Sequence, residues 1–368
     1  MLAQIHSLPA LIREVLPLYE RNAREALDDN LCLSARRLFI TGCGDSHHAT
    51  LASELAFESL ASLPTEPMTA LQMSRYAVDF LPQGEPGANV VLGISASGEV
   101  SRTLEALLRA RQVGATTIAL TGTAGSRIAL AGDRLLLMAT PPFDFAPGVR
   151  SYIATLLMLY LAAARLGEVR GKLTPFQAAD VRQEIAATAD AIGRTIAQCD
   201  EPARKLAEDW KDAGEFVFIG GGPNFGTALF SAAKILEASG DSAMGQDTEE
   251  WAHLQYFCRA VTTPTFIITA ADRDASRAVE VAVAAKTIGR RVVIVAPEDL
   301  SGLEGLTGLC FAPVREMFSP LVACIPGMLF AAHRADVIGE PFFRAFGGGR
   351  DVEGGGGISR IRTSELRV

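Results

Sequence analysis

The sequence predicts an α/β protein built twice: two tandem units, each a parallel β-sheet flanked by helices in three layers. Three observations carry this. Short apolar segments alternate with helical ones, the pattern of a parallel sheet covered on both faces. In each half the first apolar segment runs into a glycine-rich turn and then a helix. The two halves also align, LFITGCG with FVFIGGG, at a separation of about 175 residues, which points to an internal repeat. Composition agrees: 49% of the 368 residues are hydrophobic, 21% are charged and 7% are aromatic, the balance of closely packed α/β domains.

The elements follow in order. Residues 5–28 carry Leu8, Ile12, Val15, Leu16 and Tyr19 at helical spacing, with Pro17 expected to break or kink the helix. A strand at 38–41 leads into Gly42-Cys43-Gly44-Asp45-Ser46 and a helix near 46–60. A second strand, 90–94, leads into Ser95-Ala96-Ser97-Gly98-Glu99 and a helix ending near Gly114. A third strand spans 116–120. In the second half, strand 216–219 meets Gly220-Gly221-Gly222 and a helix near 226–239. Strand 265–269 then precedes a helix near 275–289 and strand 291–295. The domain boundaries expected are a helical segment at 1–30, a first unit at 31–170 and a helical linker at 171–210. A second unit at 211–345 and a glycine-rich tail at 346–368 complete the chain.

Several function classes are excluded. A net charge of -8 with no basic cluster argues against nucleic acid. Residues 1–10 do not read as a secretory signal. The most apolar run, 152–164, is too short for a bilayer about 30 Å thick, so no membrane association is expected. Six cysteines without a CxxC pair read as reduced, mostly buried thiols of a cytoplasmic protein.

The sharpest chemical signal is the strand, Ser95-x-Ser97-Gly98, helix sequence. Small hydroxyl residues at a helix start offer free N–H groups, a positive dipole end and two hydroxyls to one point, which suits a phosphate dianion. The alternative is that Ser97 merely N-caps its helix. Gly44, Asp45 and Ser46 sit at the matching end of the neighbouring strand, where parallel folds bind ligands. His47 stands where a dinucleotide fingerprint needs its third glycine, so no nucleotide cofactor is expected.

Taken together these motifs resemble the sugar-isomerase (SIS) family, specifically its two-domain members. The segments that carry the likeness are residues 1–16, the turn at 41–49, Ser95–Glu99 with Thr103-Leu104 and Arg109-Ala110, the helix at 151–163, and residues 228–257. The resemblance implies two flavodoxin-like domains and a phosphorylated sugar or amino sugar held against Ser46, Ser95, Ala96 and Ser97. It implies Glu237 as the group that shuttles a proton between C1 and C2. His253 would open the ring from the partner subunit of a homodimer, and Lys234 would lie near the sugar. One carboxylate and one group active near neutral pH fit that chemistry. No cofactor or metal is implied.

Each residue has a plainer reading. Lys234 and Glu237, three apart, could be a solvated helix pair. Glu250 lies three after Asp247, a capping-box spacing, and with His253 it makes an isolated pair rather than a metal site. The chain also departs from the family. Val100 replaces a threonine, Asp45 stands in the first turn, and Arg150 follows Gly148-Val149. No lysine follows Lys286, although Arg350, Arg360 and Arg362 do. These residues predict an isomerase, or a deaminase or deglycase of an amino-linked sugar phosphate, in which Asp45, Arg150 and Glu250 touch substrate. A non-catalytic sugar-phosphate sensor is the alternative.

Overall fold

A computed structural model describes residues 1–301, 305–351 and 364–368. Gly354–Gly357, Arg360 and Arg362 lie outside the described residues.

Helices α1 (Leu2–His6), α2 (Leu8–Ala26) and α3 (Asp29–Ser34) open the chain. Next come β1 (Arg37–Gly42), α4 (Asp45–Ala61), β2 (Thr65–Thr69) and α5 (Ala70–Arg75). β3 (Asn89–Ile94), α6 (Ser101–Gln112), β4 (Thr116–Thr121), α7 (Arg127–Ala131) and β5 (Arg134–Leu137) complete the first sheet. Two long helices, α8 (Val149–Val169) and α9 (Pro175–Asp209), lead to β6 (Glu215–Gly220), α10 (Pro223–Ala238), β7 (Ser242–Asp247) and α11 (Thr248–His253). β8 (Pro264–Ile268), α12 (Ala275–Thr287), β9 (Arg291–Pro297), β10 (Thr307–Phe311) and α13 (Pro320–Ile338) follow.

The strands form two five-stranded sheets, ordered β2-β1-β3-β4-β5 and β10-β9-β8-β6-β7, with every pairing parallel. Read outward from β1 and from β6, the two orders are the same. The predicted duplication is therefore present strand for strand. Its local geometry repeats as well: Gly44 (φ 56, ψ -129) and Gly222 (φ 52, ψ -128) cap α4 and α10 with one backbone conformation.

The chain divides into two compact units. The first lobe comprises Leu11–Pro142, Arg150–Ala186 and Phe346–Val368; the second comprises Met1–Ala10, Phe143–Val149 and Ala187–Ala345. A core of the first lobe gathers Phe39, Val91, Leu104, Leu107 and Ile128, and one in the second gathers Val217, Ile219, Trp251, Ile267 and Ile294.

Three expectations need correction. Pro17 does not interrupt its helix, because α2 continues from Leu8 to Ala26 through it. The chain breaks earlier, at Ser7. The apolar run at 152–164 is part of a longer helix: α8 and α13 are both long and apolar enough to cross a membrane, yet 83% of each apolar window is buried inside the protein. The cysteines are less buried than expected. Cys32, Cys199 and Cys324 are buried, Cys258 and Cys310 are partly covered, and Cys43 is exposed.

Close approach of α13 sets the position of α10. A β-carbon on Gly327 would lie 2.5 Å from Ser231 Oγ, so α13 needs glycine where it meets α10. Gly327→Ala is expected to destabilise the protein by about 1–3 kcal/mol, the usual effect of overpacking. Urea denaturation checks it, and a midpoint equal to wild type would show that the helices have room to part.

Candidate functional site

In the first sheet β1 connects to β2 on one side, and the chain then crosses to β3 on the other. Loops that leave β1 and β3 in opposite directions open a crevice at the carboxyl ends of the two strands, where open parallel sheets bind ligands. Gly42 pairs with Ile94, the last residue of β3, so the turns 42–46 and 95–100 begin side by side.

The turn after β3 is locked from one side. Ser95 N–H donates to Leu120 O at 3.0 Å, and Gly98 N–H donates to Ser95 O at 3.0 Å and to Ser95 Oγ at 3.1 Å. From the loop after β4, Gly122 N–H donates to Ala96 O at 3.1 Å, and from α7 Ile128 N–H donates to Gly98 O at 3.0 Å. Arg127 N–H donates to Glu99 Oε1 at 3.2 Å. Gly98 has φ +74, and a β-carbon there would lie 1.9 Å from Ser126 Oγ, so only glycine fits. The carbonyls of Ala96 and Gly98 are thus committed to the chain after β4. Among the described residues no hydrogen bond engages the N–H groups of Ala96 or Ser97.

Helix α6 starts at Ser101, with Val100 as N-cap and no side-chain cap. This overturns the plainer reading of Ser97, whose Oγ accepts only a 3.4 Å bond from Glu99 N–H and caps no helix. It also moves the dipole end four residues beyond Ser97. Sequence reasoning missed three hydroxyls nearby. Thr41 at the end of β1, and Ser101 and Thr103 in the first turn of α6, are buried with no hydrogen-bond partner among the described residues. The Ser-x-Thr spacing at the start of α6 was the available signal.

On the β1 side, a β-carbon on Gly42 would sit 2.7 Å from Ser46 Cβ, so the first turn of α4 rests directly on the strand end. Ser46 N–H donates to Cys43 O at 3.2 Å. Asp45 Oδ1 is 3.6 Å from His48 Nδ1. Burial, reinforced by the charge of His48 and opposed by a hydrogen bond with the Met68 backbone, lowers His47 to about 4 and leaves it neutral at pH 7.

Arg150 is buried, donates from Nη2 to Pro141 O at 3.2 Å, and has Glu14 and Tyr19 as its charge neighbours. None of these belongs to the two turns. Glu105, fully buried on α6, gathers Arg75 from α5, Arg102 from α6 and the N–H of Arg367. Burial alone would raise its pKa. The Arg75 hydrogen bond, the Arg367 N–H and the two guanidinium charges outweigh it and hold the carboxyl at about 2.

In the second lobe, Lys234 is completely buried on α10, hydrogen-bonds Glu237 and lies 4.8 Å from the Phe230 ring centroid. Glu237 is 28% exposed. The two are therefore not a solvated surface pair, because the lysine is inside. His253, the last residue of α11, is 68% exposed, with Nε2 3.0 Å from Glu249 Oε1, and Glu249 also pairs with Arg277 at 2.6 Å. Asp247 caps α11 through bonds from the Glu249 and Glu250 N–H groups. The exposed Glu250 returns no side-chain bond among the described residues, so the capping box is half formed. Among the described residues no group of three His, Cys, Asp or Glu side chains is set to hold a metal ion.

Comparison with known proteins bears on this geometry. Residues 32–165 match the model of the SIS domain. The chain is 28% identical over 344 residues to a glutamine–fructose-6-phosphate aminotransferase (isomerizing) of Gloeobacter violaceus, covering 91% of this chain and 55% of the relative. It is 26% identical over 313 residues to the enzyme of the same name from Thermotoga maritima, covering 84% and 50%. The chain thus spans about half the length of the curated relatives it matches. Among solved structures, the C-terminal domain of the Francisella tularensis glucosamine-fructose-6-phosphate aminotransferase shares its fold. The TM-score is 0.81 at 17% identity, over 92% of this chain and 96% of that one. A Thermotoga maritima glucosamine-6-phosphate deaminase superimposes with a TM-score of 0.63 at 20% identity, over 89% and 95%.

Gly98 in the turn and Glu105 on α6 can each be checked by substitution. Gly98→Ala should cost at least ~1 kcal/mol of stability, from strain at positive φ together with the clash at Ser126. Calorimetric denaturation reads the loss, and a midpoint equal to wild type would show that the turn tolerates a side chain there. Glu105, depressed from its usual value near 4.5 to about 2, contributes stability that is complete above pH 4.5 and lost as pH falls toward 2. Urea unfolding from pH 5 to pH 2.5 should therefore show wild type losing stability that Glu105→Gln never had. Parallel curves would refute the assignment.

Proposed function

We propose, starting from the match of residues 32–165 to the SIS-domain model, that the chain is an enzyme acting on a phosphorylated sugar or amino sugar, by aldose–ketose isomerisation or a related deamination or deglycation. The observation that carries this reading is the pair of uncommitted N–H groups at Ala96 and Ser97, held at the switch point beside an uncapped helix start. Backbone donors fixed in advance bind a dianion without reorganising, and the hydroxyls of Ser46, Ser95 and Ser97 add further donors.

Glu237 is the proposed base. Its carboxylate takes the proton from the carbon beside the open-chain carbonyl, giving an enediol, and returns it to the neighbouring carbon. Lys234, its hydrogen-bond partner on the same helix face, fixes the rotamer of the carboxylate. His253, exposed at the end of α11, is proposed to assist ring opening in a homodimer, where it reaches the partner's substrate. Asp45, beside the phosphate turn, suits a substrate amine and favours the deaminase or deglycase variant of the chemistry. Arg150 and Glu250 are the least supported of the expected substrate contacts: Arg150 is buried with its guanidinium on Pro141 O, and Glu250 lies exposed on α11. We place the reaction in the cytoplasm and without a cofactor. The sensor reading draws on one observation: the Lys234–Glu237 ion pair already engages the carboxylate that proton transfer requires.

Proton exchange tests the proposal. Hexose, hexosamine and fructosamine phosphates are incubated with the protein in deuterated water, and NMR follows loss of the C2 proton of the aldoses and of a C1 proton of the ketoses. Exchange with at least one of them is expected, falling about 10²–10⁴-fold in Glu237→Gln, the usual contribution of a positioned base. Tight binding without exchange of any substrate would identify a sensor instead.

A further inference from the structure

The two switch points can be laid over each other by register. Gly42 pairs with Ile94 and Thr69 in the first sheet, as Gly220 pairs with Ile268 and Asp247 in the second. Counting on from these pairs, Thr269 stands at the place of Ser95, Ala271 at that of Ser97, Asp272 at that of Gly98 and Asp274 at that of Val100. Helix α12 then begins at Ala275 where α6 begins at Ser101. The second crevice keeps the glycine turn and one hydroxyl, and it has a carboxylate, Asp274, where the first has Val100.

Asp274 is the N-cap residue of α12 by position, yet its side chain caps no N–H of that helix. Its Oδ1 accepts from Thr269 Oγ1 at 2.6 Å. The β-carbon that Gly221 lacks would lie 3.2 Å from Oδ2 and 3.6 Å from the carboxyl carbon, so the group lies against the turn after β6. It therefore spans the gap between the ends of β6 and β8. Oδ2 is buried and has no hydrogen-bond partner among the described residues.

We propose that Asp274 acts as an internal occupant of the second switch point. Its carboxylate fills the place that phosphate takes in the first lobe, so the chain binds one phosphate and not two. This rests on the reading of the first lobe given above. A carboxylate that served only to cap α12 would turn toward the helix N–H groups; this one turns away, to the residue equivalent to Ser95. Burial pushes the Asp274 carboxyl above its usual range, and the charges of Asp272 and Asp247 act in the same direction. A second dianion entering there would meet all three. The duplicated crevice has kept its strand register, while its left-handed residue has moved from the place of Gly98 to that of Ser97 (Ala271, φ 58).

The test grafts the first turn onto the second. The triple variant Ala271→Ser, Asp272→Gly, Asp274→Val is titrated with inorganic phosphate by calorimetry, after circular dichroism has confirmed its fold. One additional phosphate per chain relative to wild type is expected. Asp274→Ser alone, a smaller change, should gain the same site with weaker affinity and covers the case in which the triple variant does not fold. No gain in either folded variant, or phosphate at both switch points of the wild type, would overturn the proposal. Because the gain is measured against wild type, it is read separately from the first-lobe site, whose own failure would appear as wild-type binding unchanged by Ser97→Ala.

Discussion

Everything proposed for this protein depends on the way the turn after β3 is tied to the loop after β4. Bonds from Gly122 and Ile128 take the carbonyls of Ala96 and Gly98, and the left-handed backbone of Gly98 lets Ser126 pack where any other side chain would collide. With Ala96 O and Gly98 O taken, the N–H groups of Ala96 and Ser97 are left over. They are the anion site proposed above, and donors fixed in advance would meet an arriving dianion with little reorganisation.

The duplication explains how one fold came to hold two unlike halves. Strand order, the glycine caps of α4 and α10, and the start points of α6 and α12 repeat. The chemistry does not repeat. Counting from Gly44 and Gly222, Lys234 and Glu237 fall where α4 has Ala56 and Ser59, and His253 falls where α5 has Arg75. Arg75 is engaged with Glu105, a structural role, whereas His253 is exposed. The first lobe thus keeps the hydroxyl turn and the second keeps the ionisable helix.

The sequence revealed the interior of each sheet and little of its edges. All six strands read from apolar runs are central ones: β1, β3, β4, β6, β8 and β9. Strands covered on both faces are continuously apolar and therefore legible. The four missed, β2, β5, β7 and β10, are the edges. There TEPMT carries a proline and SAMGQD mixes polar residues with a glycine, as expected of strands with one unpaired side. At the site, the serine turn was legible because its residue types are unusual for a strand end. The helix start at Ser101 was not, because Val100 offers no capping side chain to mark it. The buried state of Lys234 was likewise hidden, since a lysine three residues from a glutamate reads as a surface pair until α10 is packed.

The proposed phosphate site of the first lobe rests on main-chain donors. Titrating inorganic phosphate into isotopically labelled protein and following backbone amide resonances tests it most directly. The account predicts that the Ala96 and Ser97 amides shift most and saturate together. Saturable shifts confined to other residues, with those two amides unmoved, would contradict it.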